Sequence, residues 1–260
     1  MTQTYNSDNL DSVTQIIQQC TAQIAIPKGI SIGPSGSAIF IESQGVLYLI
    51  SAGHLFNEND YNKLLLPLPS QQKALYIDTF GDLITTHKST DTDNPYDIAY
   101  IKFKRTDKTT EVKSYYNPLS ELNLCIEHKE VSGDSRYFIF GYPIHKATFD
   151  YKSKKAVNAA PIRITTHPVT DGSLYSKFGY DSEFYLLLKY QTHVPTHEGR
   201  LKLPKTKGIS GCGVYFVPEL LSSKKSHDFC LIGVLTEVDL QRQYAVVVRI
   251  EKISDLIYNR

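Results

Sequence analysis

The chain has no tryptophan, one methionine and only four cysteines in 260 residues. Those cysteines, Cys20, Cys125, Cys212 and Cys230, lack the paired spacings that hold zinc or an iron–sulfur cluster. His193 and His197 stand four apart, but Pro195 between them breaks any helix that would align both rings as ligands. No metal and no cofactor is therefore expected. No apolar run approaches the roughly 18 residues that span a membrane, so no membrane partner is expected either. Charge of one sign is also missing. Lys+Arg number 28 and Asp+Glu 27, leaving +1, without the basic stripe that nucleic acid requires. The opening MTQTYNSDNLDSV has neither a basic n-region nor an apolar h-region. The expectation is a cytoplasmic protein with free thiols. Internal repeats and low-complexity segments are absent as well.

Tyrosine (18) and phenylalanine (11) are plentiful, and short runs rich in them and in β-branched residues dominate the chain, which points to an all-β core. At this length roughly three quarters of the unfolded surface is buried on folding, so no disulfide staple is needed. Leu10, Val13, Ile16 and Ile17 share one face of a first helix, with Ser7 or Asp8 as N-cap. A strand over Thr21–Ile26 should stop at Pro27. Ser37–Glu42 and Val46–Ser51 form a hairpin around Gln44-Gly45. Further strands are expected over Leu64–Leu68, Leu75–Phe80, Leu83–Thr86 and Asp97–Phe103, with Gly81-Asp82 as a turn. Lys104–Glu130 reads as a charged, irregular connection with a short strand near Leu122–Ile126. Arg136–Tyr142, Thr148–Tyr151, Val157–Thr166, Glu183–Tyr190, Gly213–Val217, Phe229–Thr236 and Tyr244–Ile250 are the later strands. Ile250–Tyr258 is a closing helix.

Three stretches carry chemistry. In KGISGCGVYF, Gly208, Gly211 and Gly213 surround Ser210 and an apolar run follows. Glycines in that pattern let a tight turn present a hydroxyl and bare amide N–H groups, as acyl transfer needs. In LYLISAGHLF, small residues lead from a core strand into His54, which can then reach a cleft without being packed away. In NPYDIAYIKF, Asp97 heads a core strand, placed to be partly buried and to accept from an imidazole N–H. Asp82 and Asp93 compete with Asp97 but lie in polar, turn-like contexts. The other histidines show no partner pattern.

The order His54, Asp97, Ser210 is that of chymotrypsin-like peptidases, and the chain resembles a trypsin-like (chymotrypsin-fold) serine peptidase of bacterial type. SAGH is similar to the family's small-small-His motif, YDIAYIKF to its Asp-Ile-Ala strand, GISGCGV to Gly-x-Ser-Gly-x-Pro, and FGYP (140–143) to the start of its second barrel. The resemblance covers roughly residues 20 to 250. It implies two antiparallel six-stranded β-barrels with an N-terminal and a short C-terminal helix. The units would be an N-terminal extension (1–20), a first barrel (21–110), a connection (111–130), a second barrel (131–250) and the final helix (251–260).

For function, the resemblance implies intracellular endopeptidase activity on a protein or peptide substrate. His54, Asp97 and Ser210 would be the triad, and the backbone N–H groups of Gly208 and Ser210 the oxyanion hole. By position non-acidic Pro204 would floor the primary pocket, and Thr236 would stand near the place of the family's serine that bonds the aspartate. Glu237 could instead face the pocket and attract a basic side chain, which leaves specificity open. Two positions depart from the family. Ile209 replaces the aspartate that pairs with a new N-terminus, which removes activation by that ion pair, and Gly213 replaces proline, which should loosen the turn. Without a pro-segment, a protein partner that orders the Gly208–Ser210 turn is expected to activate the enzyme, as in a defence effector. Cys212 is an alternative nucleophile, because viral relatives use cysteine, although they place it where Ser210 stands. A catalytically silent peptide- or partner-binding module and an esterase are the competing functions.

Overall fold

The computed structural model describes residues 7–28, 31–57, 61–68, 73–86, 96–130, 136–144, 147–150, 155–190, 193–196, 199–202, 207–217 and 229–258. Helix α1 (Ser7–Cys20) comes first, and Val13, Ile17 and Cys20 turn one face into the core. Strands β1 (Thr21–Lys28), β2 (Ser31–Ser43) and β3 (Val46–Ala52) then form an antiparallel meander. The β2–β3 hairpin turns on Gln44 and Gly45, both at positive φ (49° and 73°), the two-residue geometry that suits strand twist. β1 runs through Pro27 instead of stopping there. Pro27 lies beyond Ala25–Leu65, the one pair that β1 makes with the next strand, so its missing N–H breaks no ladder on that side.

A single helical turn, α2 (His54–Asn57), follows β3. Then come β4 (Leu65–Leu68), β5 (Lys73–Tyr76), β6 (Gly81–Thr85), β7 (Ile98–Phe103), helix α3 (Asp107–Lys113) and β8 (Leu119–Ser120). Gly81 and Asp82 begin β6, because a 3-10 turn at Ile77–Thr79 has already reversed the chain. The first sheet has the order β5-β4-β1-β2-β3-β7-β6, with β8 parallel to β2. The expected strand near Leu122 is instead a 3-10 turn at Glu121–Asn123 and one bridge, Leu124–Leu231. Leu122 itself is exposed.

The second half holds β9 (Arg136–Gly141), β10 (Ala147–Asp150), β11 (Lys155–Ala159), β12 (Ile162–Thr166), α4 (Gly172–Phe178), β13 (Tyr185–Lys189), β14 (His193–Thr196), β15 (Gly199–Lys202), β16 (Gly213–Val217), β17 (Cys230–Asp239), β18 (Tyr244–Arg249) and α5 (Ile250–Tyr258). Its six-stranded antiparallel sheet runs β12-β9-β16-β17-β18-β13, beside the separate hairpins β10–β11 and β14–β15. The run expected as one strand, Val157–Thr166, breaks at Ala160-Pro161. The architecture is therefore mostly β, two curled antiparallel sheets with a helix at each end.

The central strands are apolar on both faces, and the packing explains why. Alternate residues of β2, β3 and β7 (Phe40, Leu49, Ile101) point into the first sheet's own interior. Their neighbours Ile39, Ile50 and Tyr100 face the other way, against Phe138, Phe140 and Tyr215 of the second sheet. β9 and β16 repeat the arrangement, with Ile139 and Val214 inside the second sheet's core. Runs such as LYLI and YFIF thus serve an intra-sheet core and an inter-sheet layer at once. Burial at about 25 cal/mol per Å² makes that shared layer the rigid frame between the halves.

His128, in the connection between the sheets, is half-buried. Its Nε2 lies 3.0 Å from the Tyr137 hydroxyl and its ring 4.6 Å from that of Phe216. Burial lowers its pKa below the ordinary 6.5; Glu130 opposes the shift and Arg249 adds to it. Because the unfolded chain binds this proton first as pH falls, the contribution of His128 is present above pH 6.5 and is lost below it. Tm measured from pH 8 to 5 should fall more steeply below 6.5 in the natural protein than in a His128→Gln variant.

Candidate active site

The antiparallel register of β3 on β7 runs from Tyr48–Lys102 to Ala52–Ile98. One step further it brings Gly53 opposite Asp97, and the Gly53 N–H donates to the Asp97 carbonyl at 3.0 Å. The chain then turns into α2, pinned by the buried side chains of Leu55 and Phe56. This delivers two more bonds to the Asp97 carboxylate. The His54 backbone N–H donates to Oδ1 at 2.7 Å, and ring Nδ1 lies 2.5 Å from Oδ2. A carboxylate oxygen accepts, so the bond pairs it with an Nδ1–H of the ring. Both side chains are about three-quarters covered (25% and 24% exposed), which strengthens the pair.

The serine turn is held from behind. The Lys207 carbonyl accepts from Ile144 N–H at 2.8 Å, Ile209 from Cys212 N–H at 3.1 Å and Ser210 from Ser37 N–H at 3.0 Å. The Gly208 carbonyl accepts from the Ser37 hydroxyl at 3.1 Å. Four successive carbonyls are thus drawn inward. The N–H of Gly211 is bonded to Leu235, whereas among the described residues the N–H groups of Gly208, Ile209 and Ser210 have no acceptor. Gly208 and Gly211 sit at φ 94° and 83°, where a Cβ is strained, and a Cβ on Gly208 would also lie 2.6 Å from Ile144 Cγ1. Ile209 is buried in the second sheet's core, so an apolar anchor stands where the resembled family has an ion pair.

His54, Asp97, Lys207, Ser210, Thr236, Glu237 and Val238 line one cleft of about 400 Å³ between the sheets. His54 and Asp97 come from the first sheet and the rest from the second. The Thr236 hydroxyl donates to the Val246 carbonyl at 3.4 Å, at the bulge in β17, and not to Asp97. Glu237 is exposed and accepts from the Tyr180 hydroxyl at 3.3 Å. Pro204 lies outside the described residues, as do His87, Asp93, His145, His197 and His227. Asp82 is on the surface, 2.9 Å from Lys104 Nζ, and takes no part in the cleft.

Gly213 is paired on both sides. It begins β16 in register with both Phe140 and Val234, and a Cβ there would meet the Tyr215 hydroxyl at 2.5 Å. That tyrosine fills the space and approaches Cys20 Sγ of α1 at 3.6 Å. Ser37 is the residue that sequence reading misses. It is fully buried at the head of an apolar run, and nothing in GPSGSAIF separates it from Ser35.

Cys212 is fully buried, and burial pushes its thiol well above the ordinary range. Cys20 is raised to about 11 by the same cause. A thiolate at either position is disfavoured near neutrality, which removes Cys212 as a competitor of Ser210. Iodoacetamide at pH 8 should leave Cys20 and Cys212 unmodified in the native protein and modify both in denaturant, as read by mass spectrometry. Rapid alkylation of native Cys212 would reopen it as a nucleophile.

No family model and no curated protein sequence matches the chain. Among solved structures it is similar to the scabies mite inactivated protease paralogue. The TM-score is 0.54 and the identity 15%, over 94% of this chain and 97% of that one. At this identity the likeness is one of fold: the chain has a chymotrypsin-like, trypsin-type fold.

Proposed function

We propose that the protein is a serine endopeptidase acting through an acyl-enzyme. The observation that carries this reading is the cleft itself. The hydrogen-bonded His54–Asp97 pair and Ser210 line it from two sheets. In the proposed reaction Ser210 Oγ attacks the scissile carbonyl while His54 Nε2 takes its proton and then returns it to the leaving amine. Asp97 holds the tautomer and offsets the imidazolium charge. The N–H groups of Gly208 and Ser210 receive the oxyanion, each such donor being worth about 2.7–4 kcal/mol of barrier. Water then attacks the ester by the same proton route in reverse. Thr236 and Glu237 form the substrate-facing wall.

The similar solved structure is named an inactivated protease paralogue, so a silent peptide-binding module is the second reading. The internally bonded turn supports activity in the resting form. Ile209 is buried and every carbonyl from Lys207 to Ser210 accepts an internal bond, so the chain's own groups already hold the turn.

A fluorophosphonate probe should label Ser210 in the natural protein and leave Ser210→Ala unlabelled. His54→Ala should lower kcat by about 10⁶ and Asp97→Asn by about 10⁴. A folded natural protein that takes no label at Ser210 would favour the binding module.

A further inference from the structure

We propose that Ser37, a residue of the first sheet, is a positioning residue for the oxyanion-binding amides of the second; this rests on the hydrolase reading above. Ser37 is fully buried and pairs with Gln23 along the β1–β2 ladder. All its polar groups are used. Its N–H donates to the Ser210 carbonyl at 3.0 Å, and its own carbonyl accepts from Ser51 Oγ at 2.6 Å. Its hydroxyl donates to the Gly208 carbonyl at 3.1 Å and accepts from the Tyr142 N–H at 2.9 Å.

A peptide unit is planar, so holding its carbonyl sets the direction of its N–H. The two amides proposed as oxyanion donors, those of Gly208 and Ser210, belong to the 207–208 and 209–210 peptides. Ser37 holds the two peptides that alternate with them, 208–209 through its hydroxyl and 210–211 through its N–H. The hydroxyl also reaches the 207–208 peptide at one remove. By accepting from Tyr142 it ties down the segment whose Ile144 N–H grips the Lys207 carbonyl. Gly208, at φ 94°, is the soft joint in this series, and without the Ser37 hydroxyl the 208–209 peptide has no partner to stop it rotating. Alanine cannot do this work, because one group must donate and accept at once.

The test measures fluorophosphonate inactivation (kinact and KI separately) and deuterium uptake at the 208–210 amides, in the natural protein and in Ser37→Ala. A control, Tyr116→Phe, removes a comparable buried hydroxyl bond to the Pro67 carbonyl in the same sheet, away from the cleft. Ser37→Ala should lower kinact on the order of 10- to 100-fold, short of the 10²–10³ for losing a donor outright. KI should stay within about threefold, amide exchange at 208–210 should be faster, and Tyr116→Phe should alter none of the three even where its Tm falls equally. An unchanged kinact in Ser37→Ala, or an equal fall in Tyr116→Phe, overturns the proposal. If the natural protein takes no label, the hydrolase reading fails, and exchange alone decides: equal uptake with and without the hydroxyl overturns the positioning role. Should Ser37→Ala not fold, Ser37→Cys keeps the volume and loses most of the hydrogen bonding, and the same outcomes apply.

Discussion

A one-residue slip of β3 against β7 would separate His54 from Asp97, because their meeting is only the continuation of that ladder past its last pair. The same slip, taken in β3, would send Leu49 out of the first sheet's interior and bring Ile50 in, while Ile101 and Tyr100 of β7 kept their places. Both faces of these strands are buried, so both faces penalise the error. The imidazole–carboxylate geometry thus inherits its precision from packing well beyond the cleft. Neither side chain is deeply buried, and neither needs to be.

The opposite wall depends on a different kind of interaction. A turn with glycines at positive φ has little intrinsic preference for one orientation of its peptide planes. Here every carbonyl from Lys207 to Ser210 accepts an internal bond, while among the described residues the Gly208 and Ser210 N–H groups have no acceptor. Desolvated donors with no partner are costly in an ordinary loop. In an acyl-transfer site the cost is returned when charge develops on the substrate oxygen. Ile209 completes the anchoring by burial, which does not wait for a newly exposed amine.

The fold was largely legible in the chain because aromatic and β-branched runs between turn signals are a short-range signal. The Gln44-Gly45 hairpin, the Gly213–Val217 strand and the Ile250–Tyr258 helix needed no long-range information. Helix α4 was not visible, since Asp171 caps only two turns that lack a clear apolar period. The hairpin β14–β15 was hidden by Pro195, which reads as a breaker although it stands in a two-stranded ribbon with an open edge. Thr236 shows the limit at the site. Its place on the cleft wall could be counted from the motif, but a bulge in β17 gives its hydroxyl to Val246.

What the chain determined by itself was which residues could do chemistry and which strands could be buried, because side-chain type and alternation are local properties. What only the tertiary structure decided was which carbonyls of the serine turn find internal donors, and that Ser37 reaches across to it. Hydrogen bonds between groups some 170 residues apart depend on register, twist and the packing of one sheet on another. Those follow from the whole fold, and no short stretch of residues encodes them.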